Sequence, residues 1–139
     1  MIDSIAKAMM TRYNLDPTGN ALRALCTGGL WFSEAPQDTT KPYAVFTWGG
    51  SNIDDQMGGQ SNRYEVAQLS VMVFSDADDG GEEVFAITDA FMTLFDWCTL
   101  DYTGSSYTHM ACKRLSVVNL GKHDSIWTVN INYEIMYSH

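Results

Sequence analysis

Trp127-Thr128-Val129-Asn130-Ile131-Asn132-Tyr133-Glu134-Ile135-Met136-Tyr137 is the stretch that decides the fold class. Trp127, Val129, Ile131, Tyr133, Ile135 and Tyr137 share one parity, and Thr128, Asn130, Asn132 and Glu134 share the other. Successive side chains of a strand point to opposite faces, so this segment has one core face and one wet face. A parallel strand covered on both sides reads as an unbroken apolar run, whereas alternation of this kind points to an antiparallel sheet. Its neighbour is expected over residues 107–120, joined to residues 125–137 through Gly121-Lys122-His123-Asp124.

Upstream, Val84, Ile87, Phe91, Leu94, Phe95 and Cys98 recur at helical spacing and define the inner face of a helix. It is entered through Asp76-Ala77-Asp78-Asp79-Gly80-Gly81-Glu82-Glu83. Acids there meet the positive end of the helix dipole, worth roughly 0.3 kcal/mol each. Residues 63–74 read as a strand whose apolar phase slips, with Tyr64 and Val66 on one parity and Leu69, Val71 and Val73 on the other. A bulge near Ala67 and Gln68, or burial on both faces towards the end, accounts for the slip. Residues 49–62 read as a long glycine-rich loop, a length that is usually functional or mobile in a compact domain. Before it lie strands at 43–48 and 30–32, separated by a turn-rich linker, and a short helix at 21–26 stopping at Gly28-Gly29. Ile2, Ile5, Ala6, Met9 and Tyr13 mark an amphipathic helix over 2–14, which Asp16-Pro17-Thr18-Gly19 ends. The expected architecture is a single α+β domain, a mainly antiparallel sheet with two helices packed on one face.

Composition narrows the function. Hydrophobic residues make up 45% of the 139, enough for one sizeable core. Seventeen Asp and Glu against eight Lys and Arg give a formal charge of −9, which repels a phosphate backbone and disfavours nucleic-acid binding through a basic patch. Cys26, Cys98 and Cys112 form an odd set without CxxC spacing; Cys98 and Cys112 read as small buried hydrophobes, which favours a protein made in a reducing cytoplasm. The first residues have no basic region followed by an apolar run, so no signal peptide is expected. The apolar stretches are too short for a membrane span, so the chain reads as soluble.

The search for chemistry returns little. A calcium loop starting at Asp76 needs an oxygen ligand at its fifth position and Glu at its twelfth, where Gly80 and Ile87 stand, so 76–83 reads as a capping turn with a solvated acidic face. His109, His123 and His139 have no partners at ligand spacing. His109 and Cys112 are three apart in a strand and should face opposite ways, too far for one to activate the other. The glycine pairs at 49, 58 and 80 lack the form of a phosphate cradle. No catalytic residue, cofactor or metal is therefore expected, and the chain is not expected to be an enzyme. What remains are interaction residues. Trp48 sits at the mouth of the long loop, which offers Ile53, Asp54, Asp55 and Met57, and Asp76, Asp78 and Asp79 form an acidic cluster. A loop folded back over its own domain is an equally open reading of the first group.

The order of features resembles the tail terminator (tail-completion) family of long-tailed bacteriophages. The resemblance runs through the opening helix, Leu30-Trp31-Phe32-Ser33-Glu34-Ala35-Pro36-Gln37, then Lys41-Pro42-Tyr43-Ala44-Val45-Phe46, the strand at Arg63-Tyr64-Glu65-Val66, the helix at 82–98 and a closing strand pair. The loop at 49–62 and the acidic run at 76–83 depart from the family pattern. The resemblance implies a structural virion protein at the head–tail interface, made in the host cytoplasm. It further implies a hexameric homo-oligomeric ring that caps the tail tube, stops its polymerisation and offers the head-joining surface. The implied partners are the tail tube protein and a head-completion or connector protein, with DNA passing the channel unheld and no membrane involved. A head-closure, neck or minor tail protein is the nearest alternative; a small cytoplasmic peptide- or metabolite-binding domain, or an enzyme using the acidic cluster with a metal, are alternatives of other classes.

Overall fold

The computed structural model describes residues 2–55, 63–102 and 108–138. The chain runs α1 (Ile2–Tyr13), α2 (Asn20–Leu25), β1 (Leu30–Phe32), β2 (Tyr43–Asp55), β3 (Arg63–Ser75), α3 (Glu82–Phe95), β4 (Thr108–His123) and β5 (Ile126–Ser138). The strands form a five-stranded sheet in the order β1-β2-β3-β5-β4, in which β1 lies parallel to β2 and every other pair is antiparallel. The class is α+β, as the alternation in β5 indicates. No helix among the described residues is long and apolar enough to cross a membrane.

The core is the meeting of the inward parity of the strands with the apolar faces of the helices. Val129, Ile131, Tyr133, Ile135 and Tyr137 of β5 are all buried, as are Leu69, Val71 and Val73 of β3 and Ala44 and Phe46 of β2. Val84, Ile87, Phe91, Leu94 and Phe95 of α3 seal them. Ile5, Ala8, Met9 and Tyr13 of α1 and Leu22 of α2 complete the cluster. Two polar contacts tie the end of α3 to β5 and β5 to β3. Tyr133 donates to Asp96 Oδ1 at 3.0 Å, and Tyr137 donates to the buried Glu65 Oε2 at 2.7 Å.

Four local expectations are corrected. Residues 49–55 are not loop: β2 continues through them in register with β3 as far as Asp55↔Arg63. No bulge lies at Ala67 and Gln68 of β3; the register of β2 against β3 slips in β2, between Trp48 and Gly50. β3 itself alternates without a break from Glu65 to Ser75, with the odd positions buried, and Val66 lies half-buried on the opposite face. The hairpin turn is shorter than 121–124. Asp124 and Ser125 alone form it, at φ 52° and 66°, the mirror-image turn whose twist matches the flanking strands. Finally, β4 slips register between His109 and Ala111, so His109 pairs with Tyr137 and Cys112 with Ile135. Those partners share a parity, so the bulge returns His109 and Cys112 to the same face, contrary to a count of three along an ideal strand.

Candidate assembly surfaces

The acidic cluster divides by role. Asp79 Oδ1 accepts from Gly81 N at 3.1 Å and Oδ2 from Glu83 N at 3.0 Å, satisfying two donors that the first turn of α3 leaves open. Gly81, at the N-cap with φ 94°, has no side chain to do this, so the carboxylate two residues earlier takes the role. Asp78 faces Lys122 Nζ at 3.5 Å, an exposed and long contact worth little, and Asp76 is exposed. Asp79→Ala should therefore lower stability by about 1 kcal/mol. Asp76→Ala should stay within about 0.5 kcal/mol of the parent in the same urea titration. Equal losses at the two positions would show that Asp79 is not a cap.

Trp48 is half-buried and packs against the core cluster, at the bulge in β2. Ile53, Asp54 and Asp55 lie on the distal part of β2, paired with Glu65, Tyr64 and Arg63. Met57 is outside the described residues. β2 and β3 thus carry Ile53, Asp54 and Asp55 on a regular hairpin arm well beyond β1, whose three residues pair only with Ala44, Val45 and Phe46.

A buried polar group at the far end of β4 was not legible as a unit. His109 lies against Tyr102, ring centroids 6.0 Å apart, and its Nε2 is 3.0 Å from the Cys98 carbonyl. A carbonyl only accepts, so Nε2 carries the proton, and the buried Nδ1 has no partner among the described residues. Cys98 and Cys112 share a thiol–thiol hydrogen bond, which pushes Cys112 up and Cys98 down, while burial favours the neutral thiol on both. Burial also pushes the Cys26 thiol up to about 12. The raised thiols of Cys26 and Cys112 are inert packing groups. Among the described residues, no group of three or more His, Cys, Asp or Glu side chains could hold a metal.

Burial lowers the His109 pKa from its ordinary 6.5, against the opposing pull of the Cys98 carbonyl. The unfolded chain therefore binds more protons than the folded one as pH falls through 6.5, and stability should decline there. His109→Gln should flatten the dependence of unfolding free energy on pH between about 7 and 5. An unchanged slope in that variant, measured by denaturant titration at each pH, would assign the dependence to other groups.

The bare surface lies along β4. Residues 113–120 are all exposed, because α3 packs mainly over β3 and β5 and meets β4 at Arg114, through Met92. Leu115, Val117, Val118 and Leu120 stand there at 42–45% exposure. At the near end, Trp97 donates its backbone N–H to the Cys112 carbonyl at 2.9 Å and leaves its indole 72% exposed. Its φ of 54° is unusual for so bulky a residue. Five large apolar side chains thus run along one margin of an acidic protein.

No family model matches the chain, and no curated protein matches it by sequence. Comparison of folds is informative. A chain from the virion of a native gene transfer agent particle superposes with a TM-score of 0.72, covering 94% of this chain and 91% of that one at 14% identity. The two share a fold. A second solved structure matches at a TM-score of 0.58, over 100% of this chain and 96% of its own, again at 14% identity. Coverage this complete on both sides means that the whole arrangement of helices and sheet is common to them, not one motif within it.

Proposed function

We propose that this chain is a structural virion protein, a tail terminator whose copies close into a ring of six on the end of a phage tail tube. The observation that carries the reading is the shared fold, over nearly the whole of both chains, with a component of a virion particle. The order of features along the sequence supports the finer assignment. In this role the protein works by shape and contact, without catalysis, cofactor or metal. The ring stops tube polymerisation and presents the surface that receives the head. The hairpin arm with Ile53, Asp54 and Asp55 extends past β1, which supports a role for it in contact with the last ring of the tube. A formal charge of −9 on each copy lets DNA pass the bore without adhering. Particles assembled without this chain test the role: their tail tubes should overrun the normal length and remain separate from heads. Tails of normal length joined to full heads in its absence would refute it.

A further inference from the structure

We infer that the bare margin of β4, residues 113–120, is the surface on which a second copy of this chain docks, its β2 edge pairing antiparallel with β4 so that one sheet runs on into the next. The inference rests on the ring proposed above and adds its interface.

The sheet ends in two unlike margins. On one side β4 offers the outward backbone groups of 113–120; on the other β1 covers only Ala44, Val45 and Phe46 of β2. Among the described residues, no strand other than β3 pairs with residues 47–55 of β2. A strand margin left open in this way is a template for pairing with another chain. The two margins are complementary in direction. β2 is antiparallel to β3, β3 to β5 and β5 to β4, so β4 runs opposite to β2. A neighbour related by rotation about an axis along the strands keeps its own directions, so its β2 meets β4 in the antiparallel sense without any inversion. That is the head-to-tail contact from which closed rings are built.

They are complementary in charge as well. β4 carries Lys113, Arg114 and Lys122, three of the eight cations of the chain, and no acid. β2 carries Asp54 and Asp55 and no cation. Lys122 reaches Asp78 only at 3.5 Å and in an exposed position, leaving it available to a neighbour, whereas Arg114 is held by the half-buried Asp96 at 3.5 Å and by Met92 of α3. A basic, apolar margin on a chain of net charge −9 finds its complement on another copy of the same chain. The lysines and the three register shifts in β4 guard the same margin against indiscriminate pairing, a common device on exposed edges. Register adds one requirement. Lys113 lies level with Gly50 through Glu134 and Gln68, so joining 113–120 to 47–55 needs a stagger of about four residues, the shear that a twisted sheet needs to close on itself. In such a ring the helix-free face, which carries Ser70, Met72, Thr128, Asn130, Asn132 and Glu134, turns to the bore.

Hydrogen exchange on the full chain, dilute and assembled, reads the interface without assuming a register. On assembly the outward amides of both 113–120 and 47–55 should slow by about tenfold or more, and Val118→Asp should hold the chain monomeric with an unchanged melting temperature. Assembled rings in which neither segment gains protection, or in which only 113–120 does, overturn the β4–β2 contact while leaving the ring intact. A chain that stays monomeric at every concentration and also on tail tubes overturns the ring and the contact together.

Discussion

Phe91→Ala should lower the unfolding free energy by about 4 kcal/mol, with a fall in melting temperature of roughly 14 °C for a chain of this size. Phe91 is fully buried on the inner face of α3 and stacks on Phe95 at a centroid distance of 5.9 Å. Phe95 in turn meets Tyr133 edge-on at 6.4 Å, so the truncation opens a void at the centre of the contact between helix and sheet. Neither β3 nor β5 can move in to fill it, because each is held on both sides by its ladder neighbours. Phe85 on the same helix is the control. It is 40% exposed and touches Trp127 at 6.2 Å, so Phe85→Ala should cost no more than about 1 kcal/mol. Urea titrations followed by circular dichroism decide the point, and similar losses at the two positions would contradict the assignment of the core.

The second large effect is expected from a single added methyl group. In Gly28→Ala the new Cβ would stand 1.9 Å from the Thr40 carbonyl oxygen and 2.6 Å from that of Pro42. Both obstacles are backbone, so neither yields by rotating a bond. The clash also falls on the hydrogen bond from Gly28 N to the Pro42 carbonyl, 2.7 Å long, which fastens the end of α2 to the start of β2. We expect a loss of about 3 kcal/mol, the upper part of the range for overpacking. A loss below about 1 kcal/mol would mean that the 33–42 connection is pliant and does not fix the position of β1.

Most of the fold was legible because it rests on periodicity. Trp127 to Tyr137 alternate without interruption, and Val84 to Cys98 recur at helical spacing, so sheet type and covering helix follow from the residues alone. The errors cluster where one extra residue changes the parity. Gly49-Gly50 reads as a loop signal, yet the chain uses it as a bulge and continues in register to Asp55. The slip between His109 and Ala111 in β4 leaves no mark in a sequence of alternating type, so the shared face of His109 and Cys112 was hidden.

The candidate assembly surface was legible only in part, for a different reason. Lys113-Arg114-Leu115-Ser116-Val117-Val118-Asn119-Leu120 is no less apolar than strands that end up buried. Its exposure is decided by how far α3 reaches across the sheet, a property of packing that no local pattern carries. Trp97 likewise sits one residue before the buried Cys98, and only its left-handed backbone turns the indole outward. The run 76–83 reads as a capping turn, and Asp79 supplies the cap, although nothing local in the sequence singles it out from Asp76 and Asp78.

The central claim is that the chain acts by joining copies of itself into a closed ring. Electron microscopy of negatively stained protein, purified and then mixed with tail tubes, tests it most directly. The account predicts closed rings with an open bore, seated on tube ends as a single terminal layer. Particles that stay solitary in solution and leave the tube ends bare would contradict it.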